Sequence, residues 1–509
     1  MSSKPEERLN ILLITADQWR GDCLPGAVEG LKPLTPALDA FATDSTRFAR
    51  HYCQAYPCGP ARAGLVTGLY PHKHRSIRNG TPLDVRHRTL FQEARRAGYR
   101  PWLFGYTDTT ADPRHLDVRD PARGDYEGVA AGLDVGLLLT ESARPWLAHL
   151  KRKGYAVPDP DGGRAGIFRQ CRFGEPAVFS AEDSEAAFLT DRFLDHLSVT
   201  GDAPFFAHLS YIAPHPPFAA AEPYFSAADP GAQELPIPSR DAAKQHTLLR
   251  HILANQDLSG FVPGLSGPVA SAPEPVIRQV RAIYAALCAE VDFQFGRIVA
   301  ALQKSGLYDR TLIILSGDHG EQLFDHGLLG KLAYFDQSAH IPLMIRDPRP
   351  ATKAGRGRLV RAFTQSIDIL PTVLQATGLS IPPNADGESL LPWLSGESPS
   401  GWRDAAHWST DFADLKTCST QKAFGLLPDR CSLHVVRTER FKYVRFAGME
   451  PVLFDLRDDP FELVNRAGDP GLAALEREGT DRLLDLRIRH EDRTLSGVQA
   501  VDGGLYGTF

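Results

Sequence analysis

Two apolar runs constrain this chain more than any other feature. Ile11-Leu12-Leu13-Ile14, within Asn10–Ala16, and Leu312-Ile313-Ile314-Leu315, within residues 311–316, show no polar alternation. A strand wet on one face alternates. A run apolar throughout is buried on both faces, as in a parallel sheet covered by helices. Each run stops on a carboxylate, the first at Asp17-Gln18-Trp19-Arg20 and the second at Gly317-Asp318-His319-Gly320-Glu321. In open α/β sheets ligands gather at the carboxyl ends of strands, so these turns fall where a site belongs. The plain alternative for Asp17 is a cap on the following turn.

The same rule picks out two further strand ends. Residues 100–105 lead to Tyr106-Thr107-Asp108-Thr109-Thr110, and residues 204–211 lead to Ala213-Pro214-His215-Pro216-Pro217-Phe218. A histidine among prolines has little backbone freedom. It is either a positioned acid or base or an incidental part of a rigid loop. Between these strands, residues 89–98 read as helix and residues 112–163 as a turn-rich excursion over the site. Residues 219–275 are loop-rich. Ile277, Val280, Ile283, Tyr284, Leu287, Val291, Phe295, Ile298 and Leu302 recur at helical spacing from 274 to 305, and Gly306 ends that helix. Residues 341–345 and 366–377 supply another strand and helix.

After about residue 396 the texture changes. Residues 406–409, 432–437, 441–446 and 452–455 read as short strands between turns, hence a small antiparallel sheet. Residues 472–490 form a closing helix with Gly479 as a point of interruption, and a tail follows Ser496. The expected architecture is α/β: a large, mostly parallel sheet flanked by helices over residues 1–396, and a C-terminal subdomain with a small antiparallel sheet over 397–509.

The net charge of −6 provides no broad basic field, which argues against nucleic acid and anionic membranes as partners. An anionic substrate must then be drawn by local cations or a metal. The seven cysteines are odd in number and scattered, which does not suggest a disulfide framework. Cys53 and Cys58 lack a second pair at zinc-ligand spacing. Residues 1–7 are polar without a secretory layout, and no run reaches membrane-spanning length. The expected compartment is the cytoplasm.

The stretch Pro57-Cys58-Gly59-Pro60-Ala61-Arg62 draws these parts together. Pro60 suits a first helical turn, where the amide it removes would be unpaired. Cys58 therefore starts a short helix, with Arg62 one turn on along the same face. A nucleophile at a helix start beside a guanidinium is an arrangement for receiving an anion. Taken singly, each candidate has a plain structural use: Cys58 as a small buried hydrophobe, Asp318 as a cap, His319 as a core histidine, Lys331 as a solvated lysine. As a set, such readings explain them poorly.

Cys58-Gly59-Pro60-Ala61-Arg62, followed by Thr67-Gly68, resembles the Cys-x-Pro-x-Arg signature of type I sulfatases. Phe441-Lys442-Tyr443, Leu453-Phe454-Asp455-Leu456, Asp459-Pro460 and Glu462 resemble the sulfatase C-terminal subdomain. More narrowly, Asp17-Gln18-Trp19-Arg20, Pro214-His215-Pro216-Pro217-Phe218 and Asp318-His319-Gly320-Glu321-Gln322 are similar to the phosphonate monoester hydrolase and arylsulfatase branch of the alkaline phosphatase superfamily. Gln18 stands where most sulfatases have a second Asp, and Tyr106 and Asp108 where they have Lys and His. Asp108 also replaces the Thr of the phosphonate hydrolases, which leaves the substrate preference open.

The resemblance implies that a maturation enzyme oxidises Cys58 to formylglycine, whose hydrate supplies the nucleophilic oxygen and later expels the product from a covalent intermediate. Asp17, Gln18, Asp318 and His319, with residue 58, would hold one divalent metal; mostly oxygen donors suit Ca²⁺ or Mn²⁺. Arg62 would orient the hydrate, while Lys331 and His215 would serve the leaving group. Asn79, Tyr106, Asp108 and Thr109 would contact the transferred group. The implied activity on small anionic esters is that of an arylsulfatase, promiscuous toward phosphonate monoesters and phosphodiesters. The reverse order of substrates and an inactive metal-binding homologue are the alternatives. A homo-oligomer is expected, the tail after Ser496 reaching a neighbouring subunit.

Overall fold

The computed structural model describes residues 8–25, 31, 33–158, 162–201, 203–240, 245–493 and 496–507; the polar segment at 1–7 lies outside them. Eight strands form the main sheet: β1 (Asn10–Ala16), β2 (Thr46–Tyr52), β3 (Pro101–Gly105), β4 (Asp134–Leu138), β5 (Phe206–Tyr211), β6 (Thr311–Gly317), β7 (Leu343–Arg346) and β8 (Leu359–Gln365). Their order is β4-β3-β5-β1-β6-β7-β2-β8. β1 lies between β5 and β6 and runs parallel to both, with Ile11 opposite Phe206 and Leu312. β7 alone runs against its neighbours β6 and β2; the other pairs are parallel. The two apolar runs thus become adjacent central strands, and Asp17 and Asp318 leave the same edge of the sheet.

Helices cover both faces, which is why β1 carries no polar alternation. They include α1 (Cys58–Thr67), α2 (Leu90–Arg96), α3 (Glu185–Val199), α4 (Glu274–Lys304) and α5 (Ile369–Ala376). Leu12 and Ile14 face a core containing Val280, Ile283 and Phe295 of α4. Ile11 and Leu13 face the opposite core, with Leu65 and Val66 of α1 and Ile369 and Val373 of α5. All four β1 residues are fully buried, so truncating one to Ala should cost about 2–5 kcal/mol. The long α4 and the core-facing α1 are thereby fastened to the strands that carry the aspartates.

The second sheet has order β12-β11-β10-β9, from β9 (Ala405–Asp411), β10 (Ser432–Thr438), β11 (Phe441–Phe446) and β12 (Val452–Asp455). It braces the segment leading into α1. Ser409 N donates to Gln54 O at 3.1 Å, Thr410 Oγ1 donates to Tyr56 O at 2.6 Å, and Trp408 stacks on Tyr52. Lys442 of β11, fully buried, pairs with Asp336 at 2.6 Å and with Glu462.

Some sequence expectations need correction. The closing helix α6 (Ala473–Arg489) runs unbroken through Gly479. A Cβ there would lie 2.6 Å from the Tyr443 side chain, so Gly479 marks close approach to β11 and not a break. The excursion at 112–163 contains the edge strand β4, and residues 219–275 contain helices Tyr224–Ala227 and Thr247–Asn255. β2 and β8, which mix polar residues into half-buried positions, lack a pattern that reads as strand. The tail pairs as a hairpin, β13 (Val498–Val501) with β14 (Gly504–Gly507). Among the described residues no helix is long and apolar enough to cross a membrane.

Candidate active site

The site forms where β1, β6 and α1 meet. Asp17, Cys58, Asp318 and His319 are all buried, and one ligating atom from each lies within 4.8 Å of the others. The turn after β1 is held tightly. Gln18 has φ 66°, a left-handed conformation that a side chain rarely adopts outside constrained sites. Its amide donates to Asp318 Oδ1 at 3.1 Å, and its carbonyl accepts from Tyr284 Oη of α4 at 2.7 Å. β1, β6 and α4 thus share one turn.

Arg62 organises the carboxylates. Its Nε donates to Asp318 Oδ2 at 2.9 Å, and Nη2 lies 3.4 Å from Asp17 Oδ2 and 2.9 Å from Tyr106 Oη. Nη1 donates to Ser210 Oγ at 2.7 Å and to Tyr106 O at 3.1 Å. The guanidinium stacks over the Tyr106 ring at 4.1 Å, and the Tyr106 hydroxyl donates to Asp17. A planar fork can bridge two carboxylates in fixed geometry; a lysine ammonium cannot. Burial opposes the charge of Asp17, but His215, Lys331, His319 and Arg62 outweigh it and hold the carboxyl far below the usual range.

His319 Nδ1 lies 3.0 Å from Gly320 O, an acceptor only, so the neutral ring carries its proton there. Burial keeps the imidazole neutral despite the nearby Asp318. The Nε2 lone pair then faces Cys58 Sγ at 3.3 Å, Asp17 Oδ1 at 3.5 Å and Asp318 Oδ2 at 3.8 Å. Two carboxylates and one imidazole converging as acceptors suit a hard divalent ion. The residues present fit a metal.

Lys331 and Gln18 close one side. Lys331 Nζ donates to Gln18 Oε1 at 2.6 Å and lies 3.5 Å from Cys58 Sγ. Burial works against its charge, but Cys58, Asp17, Asp318 and Glu321 raise its pKa above the ordinary value. Gln18 Nε2 donates to Glu321, so its amide bridges the lysine and that carboxylate. Burial pushes the Cys58 thiol well above its usual pKa, with Asp17 adding to it and Lys331 opposing.

The remaining predicted residues lie around this cluster. His215 Nδ1 is 2.6 Å from Pro216 O; burial, then Lys331, lower its pKa to about 3. Asn79 Oδ1 accepts from Gly59 N at 2.9 Å and so caps the start of α1. Asp108, with φ 46°, is raised to about 7 by burial, with Arg62 opposing and Asp17 adding to the rise. Thr109 Oγ1 turns to Thr107 O at 3.1 Å, a contact within its own loop. A cavity of about 1040 Å³ opens over the cluster and is lined there by Gln18, Asn79, His215 and Lys331.

Sequence reasoning passed over Ser210, Glu321 and Tyr284. Ser210 stands at the carboxyl end of β5, and the strand-end rule that selected Asp17 and Asp318 could have selected it. Glu321 lies within a motif already singled out. Tyr284 reads as one of the apolar positions of α4, and nothing in its spacing reveals the hydroxyl's task.

The Sulfatase family profile matches residues 9–379, and the C-terminal profile of N-sulphoglucosamine sulphohydrolase matches residues 324–489. Over 514 aligned positions the chain is 39% identical to the multifunctional alkaline phosphatase superfamily protein PehA of Trinickia caryophylli, covering 98% of this chain and 99% of that protein. The crystal structure of a phosphonate monoester hydrolase of Agrobacterium radiobacter superposes with a TM-score of 0.92 at 42% identity, covering 99% of this chain and 100% of that one. A phosphonate monoester hydrolase from Silicibacter pomeroyi superposes with a TM-score of 0.91 at 37% identity, covering 99% of each. With the fold, the order of motifs and the profile all in agreement, this chain belongs to the sulfatase family within the alkaline phosphatase superfamily.

Proposed function

We propose that this chain hydrolyses phosphonate monoesters and sulfate monoesters, with phosphonate monoesters the main substrates and formylglycine at position 58 the nucleophile. This reverses the order implied by the sequence alone. The identities of 42% and 37% to phosphonate monoester hydrolases over 99% of the chain favour it, while the Sulfatase profile supports sulfate esters as the second class. The observation that carries the reading is the buried cluster itself: Cys58 at the start of α1 faces two carboxylates, an imidazole and Lys331.

Asp17, Asp318 and His319, with residue 58 and with Gln18 beside them, would hold the divalent ion, Ca²⁺ or Mn²⁺. A bound ion would supply Lewis acidity and charge neutralisation for an anionic ester. An unmodified thiol is a poor nucleophile here, because burial keeps it protonated. A maturation enzyme that converts Cys58 to formylglycine is therefore part of the proposal.

The chain's other groups have separable tasks. Arg62 fixes both carboxylates in orientation and, after His215, Lys331 and His319, helps to hold the Asp17 carboxyl ionised. Tyr106, anchored by Arg62 and Asp17, and Asn79, at the mouth of α1, border the place of the transferred group. Lys331 and His215 face the leaving-group side. Because the His215 proton on Nδ1 is engaged by Pro216 O, its Nε2 is an acceptor. Lys331, held charged, is the group with a proton to give to the departing oxygen.

The test is kcat/KM for an aryl phosphonate monoester and an aryl sulfate, side by side, on protein matured with a formylglycine-generating enzyme. Phosphonate hydrolysis should be the faster; a clear sulfate preference would restore the arylsulfatase order. Cys58→Ala should abolish both activities with the fold retained by circular dichroism, and retained turnover would sink the nucleophile assignment.

A further inference from the structure

The cavity over the cluster holds a cation that the mechanism leaves without a task. Arg164, at the start of the short helix Arg164–Phe168, lines this cavity together with His215 and Lys331. It is only 7% exposed. Its ionic partner is Glu185 of α3, Nη2 to Oε2 at 3.3 Å. Among the described residues, however, Arg164 Nε and both Glu185 carboxylate oxygens have no hydrogen-bond partner. The guanidinium is thus held in place by charge and by the Phe168 ring, 5.3 Å from its carbon, while Nε makes no hydrogen bond.

The other cations near the site narrow the role. Arg78 also lines it but is neutralised by Asp411 at 2.5 Å, and Lys416 lines it from an exposed position. Arg62, on the far side of Cys58, is enclosed by Asp17, Asp318, Tyr106 and Ser210. Arg164 shares the cavity lining with His215 and Lys331, the side that the proposed function gives to the leaving group, and it helps to keep the His215 imidazole neutral, after burial and Lys331. The cavity lining mixes polar groups, Glu141, Asn255 and Gln256 among them, with an apolar set of Leu248, Ile252, Phe261, Leu332, Phe412 and Leu415. At about 1040 Å³, the space reaches the upper end of the roughly 300–1,000 Å³ of small-molecule sites, far more than one phenyl ring needs.

We propose that Arg164 is a specificity-determining residue that binds a carboxylate on the leaving group, so that favoured substrates are esters of hydroxy compounds with an apolar body and an anionic end. The inference rests on the ester-hydrolase reading of the site. A guanidinium matches the planar carboxylate through parallel hydrogen bonds. A substrate carboxylate would engage the face of Arg164 that lines the cavity, and the apolar residues of the lining would take the body of the leaving group.

The test compares the meta-carboxyphenyl and meta-carbamoylphenyl phosphonate monoesters, which differ in charge but little in shape. The matured wild-type enzyme should favour the carboxylate ester in kcat/KM by about 10- to 100-fold, the range of a charge-assisted hydrogen bond, mainly through KM. In Arg164→Gln the ratio should fall toward unity, and in Arg164→Lys it should lie between. If the unpaired Glu185 prevents Arg164→Gln from folding, the double variant Arg164→Gln/Glu185→Gln removes both charges and gives the same reading. Calorimetric titration with meta-hydroxybenzoate and meta-hydroxybenzamide reports the same preference without turnover. If both esters turn over equally and both phenols bind alike, the Arg164 assignment falls and the hydrolase reading stands. If neither ester turns over but hydroxybenzoate binds about 10-fold tighter in an Arg164-dependent way, the hydrolase reading falls and the Arg164 site stands.

Discussion

Replacing Lys331 by Ala removes the charge assigned to the leaving group, and a series of leaving groups separates that loss from the loss of its contact with Gln18. Its Nζ lies 3.5 Å from Cys58 Sγ, the place of the nucleophile, and the same contact distance to a leaving oxygen sets the most that its charge can contribute. With an effective dielectric constant of about 20, unit charges at that distance of 3.5 Å interact by about 4.7 kcal/mol. At ~1.4 kcal/mol per tenfold change, a leaving oxygen bearing nearly full negative charge would lose about 10³ in rate, within the ~10²–10⁴ range of general acid catalysis. An oxygen that delocalises its charge, such as para-nitrophenolate, needs little of this help and should lose about tenfold. The assay is kcat/KM for a series of aryl phosphonates of rising leaving-group pKa, on wild type and Lys331→Ala. The logarithmic plot should steepen in the variant. Parallel plots, with equal losses at both ends, would refute the acid role and leave Lys331 as a binding group for the substrate anion.

Two further predictions concern the metal cluster and the core. Asp318→Asn should lose the bound divalent ion, measured by elemental analysis of dialysed protein, because it removes one of the two carboxylates beside His319 Nε2; full occupancy would count against the ligand set. Glu290, 4% exposed on α4, has its pKa raised from 4.5 to about 7 by burial, with Ser184 opposing and Glu185 adding. Its contribution is fully present below pH 4.5 and is lost as pH rises through about 7. At ~1.4 kcal/mol per unit, Glu290→Gln should be more stable than wild type by about 3 kcal/mol at about pH 8 and similar near pH 4. Denaturant midpoints that shift equally at both pH values would refute the buried-acid account.

Much of the site was legible because its chemistry sits at strand ends. The apolar runs of β1 and β6 announce burial on both faces, and the carboxylates after them follow from the direction of the strands. Cys58, Arg62 and the proline between them read as a helix start. β2, β4 and β8 were not legible, since strands at the less covered parts of a sheet keep polar residues that blur their period. Gly479 misled because a glycine in a helix has two causes, a break or a close neighbour, and only the position of Tyr443 decides which.

The chain's local pattern determined that a parallel sheet is buried between helices, that Asp17 and Asp318 emerge from it, and that Cys58 begins a helix with Arg62 on the same face. Local pattern extends only as far as neighbouring turns. The assembly of these pieces into one cluster depends on strand order, which places β1 against β6 although most of the chain separates them, and on α4, whose Tyr284 fixes the turn at Gln18. Tertiary structure alone decided the pairing of Lys331 with Gln18, the anchoring of Arg62 by Ser210 and the presence of Arg164 beside His215. Those contacts join segments with no periodic relation to each other. Their hydrogen bonds and charge pairing offset the cost of burying these groups, and a sequence cannot show which groups will share the same dry space.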